Sequence, residues 1–371
     1  MSKFIIIGAG ILGATTAYQL ARTGAEVTVI DRNDRGQATD AAAGIVCPWL
    51  SQRRNKVWYR LARGGARFYP NLIEQLAEDG ETETGYARVG AISIHRDEDK
   101  ILAMKERAVK RREDAPEIGV ITILNTKQTQ TLFPLLDDGY QSVHVSGAAR
   151  VNGRLLRQAL LNGAQKHGAI VRKGNAQLIH QGRHITGVNI NGETYYADTV
   201  IATNGVWMNQ LLQPLGVHFA ATSQKAQIIH LQMPDFKTEA CPVVMPPTDQ
   251  YLVPFANGRL VVGATHENEA GFDYRVTAGG VNEILTKALD IYPGLANATV
   301  LETRVGFRPF TPGFLPVIGA LPGYEGILLA NGLGASGLTM GPFIGTQLAK
   351  LALGDALEIN IDDYPVSGAF K

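Results

Sequence analysis

Apolar positions open the chain in a compact pattern. Phe4 to Ile7 is a short β-favouring run, Gly8 to Gly13 is a turn, and Ile11, Leu12, Tyr18 and Leu20 give the next segment an apolar side. Gly24 closes that helix, and Glu26 to Ile30 alternates toward a buried strand ending at Asp31. Strand, turn, helix and strand make a βαβ unit of a parallel sheet. Three glycines, two threonines and a glutamine interrupt residues 4–21, which lack a basic leader and a small-residue cleavage site, so a signal peptide is not expected. No other stretch holds the roughly 20 uninterrupted apolar residues of a spanning helix, and the chain reads as soluble and unprocessed.

Further along, residues 53–115 carry helical stretches rich in Arg, Lys and Glu, the pattern of a solvated face. Leu155, Leu156, Ala159, Leu160 and Ala164 are spaced for one face of a helix ending at Gly168. Asn191-Gly192 predicts a hairpin turn, and "DTVIATNG" a buried strand running into glycine. Residues 217–300 read as β-rich, with a second hairpin at Asn257-Gly258. The chain closes with a glycine-rich turn, Gly332 to Gly337, before the helical "LTMGPFIGTQLAKLAL".

With 371 residues, the chain is long enough for two domains at roughly 150 residues each. Lys plus Arg at 35 against Asp plus Glu at 34 leaves no electrostatic footprint for nucleic acid or an anionic membrane. Cys47 and Cys241 are too few for a disulfide framework or a cysteine metal site, which points to a reducing cytoplasm. The eight histidines include no HExxH and no cysteine neighbours at ligand spacing, so no metal is expected; His266, after "VVGAT", alone merits watching. Neither a G-x-S-x-G elbow nor a P-loop is present, which leaves hydrolase and nucleoside-triphosphatase chemistry without support.

Gly8-Ala9-Gly10-Ile11-Leu12-Gly13 is a GxGxxG directly after a strand and opening a helix. The first glycine permits the tight turn, the second lets the backbone approach a pyrophosphate, and the third lets helix and strand pack closely. Asp31, 18 residues past Gly13, stands where a carboxylate takes ribose hydroxyls. The motif does not choose between NAD and FAD. Arg308 lies in "RVGFRPFTPGFLPVIG", read as a stiff, irregular segment. There it either grips a carboxylate or is satisfied by carbonyls or a surface ion pair. The turn Gly332-Leu333-Gly334-Ala335-Ser336-Gly337 either aims amides at charge on a cofactor ring or is a plain loop with Ser336 as N-cap; alone, it favours the loop.

Taken in order, "GAGILG" with Asp31, "ATDAAAGIV", "VNGRLLRQAL", "ADTVIATNGVW", "YLVPFANGRLVVGAT", "VGFRPFTPGFLPVIG" and "GLGASGLTMGP" resemble the D-amino-acid oxidase family of FAD-dependent amine oxidoreductases over nearly the whole chain. Glycine oxidase is the nearest likeness, with D-amino acid dehydrogenases beside it. The resemblance implies an α/β fold: a discontinuous Rossmann-type FAD-binding domain (1–85, 146–216 and 302–371) and a second α+β substrate domain on an antiparallel sheet (86–145 and 217–301). It implies noncovalent FAD held by Gly8, Gly10, Ile11, Leu12 and Gly13, by Asp31 and Arg32 at the ribose, and by Ala38, Thr39, Ala43, Gly44 and Ile45 along the pyrophosphate and flavin. Ala176 would meet adenine, Gly205 joins the set, and Leu333, Gly334, Ala335, Ser336, Gly337, Leu338 and Thr339 would place amides at the pyrimidine edge of the flavin. Arg308 and Tyr251 match the residues that hold the substrate carboxylate. Two positions depart from glycine oxidase, Ala335 in place of an arginine and Asp249 in place of a histidine.

The activity implied is oxidation of the Cα–N bond of a D-amino acid, glycine or an N-alkyl glycine, with oxygen or a quinone-type acceptor taking the electrons. Rival readings are a 2-hydroxyacid or proline-type dehydrogenase and a noncatalytic FAD-binding subunit. An NAD-dependent dehydrogenase fits the first motif but not the two C-terminal segments. No nucleic-acid partner or transmembrane segment is expected. Oligomerisation and a peripheral place at the inner membrane face stay open.

Overall fold

The computed structural model describes residues 2–370. Its first sheet has six strands in the order Val317–Ala320, Ile327–Asn331, Thr199–Ala202, Lys3–Ile7, Glu26–Asp31 and Ile170–Lys173. All neighbours are parallel except the first pair, an antiparallel hairpin at the edge. The helix Ile11–Arg22 crosses between the two opening strands as the glycine pattern predicts. It is buried on nearly every side, Thr15 and Thr16 included, because the helices Gly153–Lys166 and Gly337–Leu353 both pack on it. The buried threonine hydroxyls donate to the carbonyls of Ile11 and Leu12, so no polar group is stranded.

A second sheet has eight strands in the order Thr299–Phe310, Thr222–Gln232, Arg259–Gly263, Tyr251–Pro254, Val243–Met245, Ala91–His95, Gln141–Val145 and Ile121–Leu124. It is antiparallel except between Val243–Met245 and Ala91–His95. The hairpin at Asn257-Gly258 pairs Pro254 with Leu260 and Tyr251 with Gly263. The one at Asn191-Gly192 pairs Ile190 with Glu193 in a small separate sheet.

Several expectations are corrected. The charge-rich stretch 53–115 holds two helices, Lys56–Glu78 and Glu98–Arg112, but also the buried strand Ala91–His95, whose alternation "AISIH" is too short to stand out between them. Leu155 is 40% exposed, because the buried face of its helix runs through Leu156, Ala159, Leu160 and Ala164. The β-rich stretch contains the helix Ala278–Ile291. Arg308 lies not in an irregular segment but in the regular strand Thr299–Phe310, paired along its length with Thr222–Gln232.

Candidate active site

A cavity of about 870 Å³ is lined from both sheets, near the upper end of the range for small-molecule and cofactor sites. At one end sits the glycine turn. Gly8 has φ +100°, and a Cβ there would stand 2.8 Å from the Thr203 carbonyl oxygen; one on Gly13 would stand 1.9 Å from the Gly8 carbonyl oxygen. A Cβ on Gly10 meets nothing nearer than the Thr39 hydroxyl at 3.5 Å, so only the cavity would receive it. Thr39 accepts a hydrogen bond from the Ile11 N–H at 2.9 Å, and the positive end of the helix faces the cavity.

Next to the turn, the Asp31 carboxylate accepts from the Ala9 N–H (2.6 Å), the Asn33 N–H (2.6 Å) and the Gln37 amide (2.8 Å). With up to two acceptor sites per oxygen, it retains capacity for a hydroxyl. Arg32 is paired with Asp34 at 2.6 Å and reaches over the Trp207 ring. Ala176 and Gly205 stand on the same wall, as does Asn204, whose buried side-chain oxygen has no partner among the described residues. An unpaired buried acceptor of this kind fits a ligand that donates there.

Ala38, Ala43, Gly44 and Ile45 continue the wall. Thr339 donates to the Ile45 carbonyl at 2.9 Å, fastening the first turn of the C-terminal helix to that run. Leu333, Gly334, Ala335, Gly337, Leu338 and Thr339 face the cavity; Ser336 and Gly13 do not. Ser336 sits half-buried in the short turn Gly334–Ser336 that precedes the helix, and Gly13 is spent on packing against Gly8 and Thr203.

The second sheet contributes Arg308 and Tyr251 to the same lining. Arg308 donates to the Gln224 side chain at 3.0 Å, its register partner on the neighbouring strand, and has no carboxylate partner among the described residues. Burial lowers the Arg308 pKa from its ordinary value, against the nearby Tyr251; burial raises that of Tyr251, against the Arg308 charge. A cationic side chain without a protein anion is an open receptor for one.

Beside them stand Asp249 and His266, which sequence reasoning left apart. They flank a hairpin whose register places Tyr251 opposite Gly263, and so bring together residues 17 positions apart. The hairpin register was the signal that could have paired them. His266 Nδ1 lies 3.6 Å from Asp249, which also holds Lys287 at 3.2 Å. Burial works against the Asp249 charge, but Lys287 outweighs it and keeps the carboxyl below the usual range. Burial, aided by the Arg308 charge, holds the His266 imidazole below its usual value. Among the described residues no group of three or more His, Cys, Asp or Glu could hold a metal, and no helix is long and apolar enough to cross a membrane.

The family model described as FAD dependent oxidoreductase matches residues 3–351. The chain belongs to that family. The enzyme is similar to the oxidoreductase YurR of Bacillus subtilis (strain 168), 63% identical over all of both chains, and to a glycine oxidase of Pseudomonas aeruginosa, 27% identical over 99% of both. Among solved structures, the iminodiacetate oxidase of Chelativorans sp. BNC1 superposes with a TM-score of 0.95 at 44% identity over 98% of both chains. Glycine oxidase of Bacillus cereus shares the fold, with a TM-score of 0.85 at 22% identity. The enzyme is thus an FAD-dependent oxidoreductase, and the glycine cradle, Asp31 and the unpaired Asn204 oxygen suit such a dinucleotide.

Proposed function

We propose that the enzyme oxidises the Cα–N bond of a small amino acid, with glycine and N-substituted glycines first in line. The observation that carries this reading is the half-buried Arg308, without a carboxylate partner among the described residues, beside Tyr251 in the cavity that the dinucleotide turn also lines. When bound, FAD supplies the two-electron acceptor. Gly8, Gly10, Ile11 and Leu12 would meet its pyrophosphate, Asp31 and Arg32 its ribose, and Leu333 to Thr339 its pyrimidine edge. Arg308 and Tyr251 would fix the substrate carboxylate, which sets the Cα–H direction, and the amine nitrogen supplies the electron push. The imine product then hydrolyses to a 2-oxo acid and an amine. The similarity to an iminodiacetate oxidase supports an N-substituent, and Ala335 leaves only a methyl group on the flank where the family's glycine oxidases carry an arginine.

The two-domain division (1–85, 146–216 and 302–371; 86–145 and 217–301) is part of the same reading. The six-stranded sheet draws only on the first set of segments. The eight-stranded sheet draws on the second, plus Thr299–Phe310, which crosses the 301/302 boundary.

An anaerobic screen of flavin bleaching with glycine, sarcosine, iminodiacetate, D-amino acids including D-proline, and 2-hydroxy acids tests the proposal. Bleaching by one amine is the expected result. Bleaching by 2-hydroxy acids alone, or by nothing, overturns it. With the active amine in air, hydrogen peroxide is expected as co-product; turnover with a quinone but not with oxygen would replace oxygen as the acceptor.

A further inference from the structure

A free amino acid carries an ammonium at neutral pH, and the Cα–N bond is oxidised only once that nitrogen has a lone pair. The cavity therefore needs a proton acceptor near the carboxylate receptor. Tyr251 is no candidate, since burial raises its pKa. Lys225 is buried but does not line the cavity, and it is engaged with Glu267 at 3.3 Å and Asp273 at 3.8 Å. Of the remaining acid and imidazole groups on the wall, Asp31 and Asp34 stand beside the glycine turn and Arg32, which leaves Asp249 and His266. Asp249 is already committed to Lys287, which in turn holds Glu283 at 2.8 Å.

We propose that His266, oriented by Asp249, accepts the proton of the substrate ammonium once the carboxylate is held by Arg308, an inference that rests on the amino-acid reading above. The ring has Nδ1 3.6 Å from Asp249, an ionic contact longer than a hydrogen bond, and the proposal assigns Nε2 to the substrate. One N–H bond of the ammonium breaks, the proton joins Nε2, and the electron pair stays on nitrogen; nothing is oxidised in this step. The resulting imidazolium is stabilised by the Asp249 carboxylate, the arrangement by which a carboxylate orients a catalytic histidine elsewhere. The charged groups facing His266 are Asp249 from the loop before the hairpin, Lys287 and Glu283 from the helix Ala278–Ile291, and Arg308 from the long strand. Burial and the Arg308 charge hold the ring below its ordinary imidazole value, against the Asp249 carboxylate.

The test uses 2-methylalanine, which has the carboxylate and the amine but no Cα–H to lose. It is titrated calorimetrically into FAD-loaded protein in two buffers of different ionisation enthalpy near neutral pH. The unaltered protein is expected to bind it with no net proton passing to the buffer. His266→Asn is expected to release about one proton per ligand bound, with affinity rising roughly tenfold per pH unit. Equal proton counts and equal affinities in the two proteins overturn the proposal. With the amine found in the bleaching screen, the acid limb of flavin reduction is expected to shift upward by about one pH unit or more in His266→Asn; an unmoved limb also overturns it. If the screen finds an amine substrate but the histidine variant behaves as the parent, only this proposal falls. If the screen finds no amine substrate, the amino-acid reading falls with it.

Discussion

At the residue scale, the cavity separates two kinds of charged group. Glu302 accepts from Arg259 and Arg304, both at 2.6 Å, while Arg308 has neutral neighbours, the Gln224 amide and Tyr251, and no carboxylate among the described residues. The first is a finished structural contact; the second is the contact that the proposed function completes with a substrate carboxylate. Arg308→Leu is expected to raise KM steeply and lower turnover, with a loss in kcat/KM of roughly 100-fold, since one charge-assisted contact in a buried site is removed. Steady-state kinetics on the folded variant checks this, and unchanged kinetics would remove Arg308 from the site. Glu302 behaves otherwise. Its Arg304 hydrogen bond, with the Arg304 charge, pulls its pKa from the ordinary 4.5 down to about 2. A depressed carboxylate adds stability above the unfolded value and loses it as pH falls through the folded one, here between about 4.5 and about 2. Thermal melts of Glu302→Gln should therefore lie below the parent at neutral pH, with the gap closing across that acid window.

At the element scale, the glycine turn shows what a sequence carries plainly. Gly8, Gly10 and Gly13 each have a different neighbour, and their fates on substitution separate accordingly. Gly13→Ala drives a methyl group into the Gly8 carbonyl and is expected to cost about 1–3 kcal/mol of stability. Gly10→Ala meets open space and should melt closer to the parent while binding FAD more weakly, because the methyl group takes the volume a phosphate needs. Melting curves of apoprotein and a fluorescence titration with FAD distinguish the two. This element was legible because its chemistry is local: turn, helix and following strand sit within 31 residues. The strand Ala91–His95 was not, since what makes it a strand is pairing with residues 141–145 and 243–245 far along the chain. The Asp249–His266 pair was hidden for a related reason. Each residue alone is unremarkable, and only the register of the hairpin between them gives the pair its meaning.

At the scale of the whole molecule, one strand serves both ends of the chemistry. Thr299–Phe310 carries Arg308, yet its Phe307 N–H donates to the Gly36 carbonyl at 2.9 Å, and Gly306 faces the Ala41 methyl group so closely that a Cβ there would stand 2.8 Å away. Arg304 on the same strand donates to the Asp40 carbonyl at 3.2 Å. The backbone that carries Arg308, the proposed carboxylate receptor, is thus bonded to the segment 36–41, which lines the same cavity as the glycine turn. Two ligands that lean on one strand do not leave it independently. A nonreactive carboxylate seated on Arg308 should tighten the binding of FAD, and FAD should tighten the binding of that carboxylate by the same factor, because linkage is reciprocal. Flavin-fluorescence titrations of apoprotein with and without 2-methylalanine would measure the first half of that exchange, and titrations of 2-methylalanine with and without FAD the second. The molecule would then retain its cofactor best when substrate is plentiful and part with it most readily when starved.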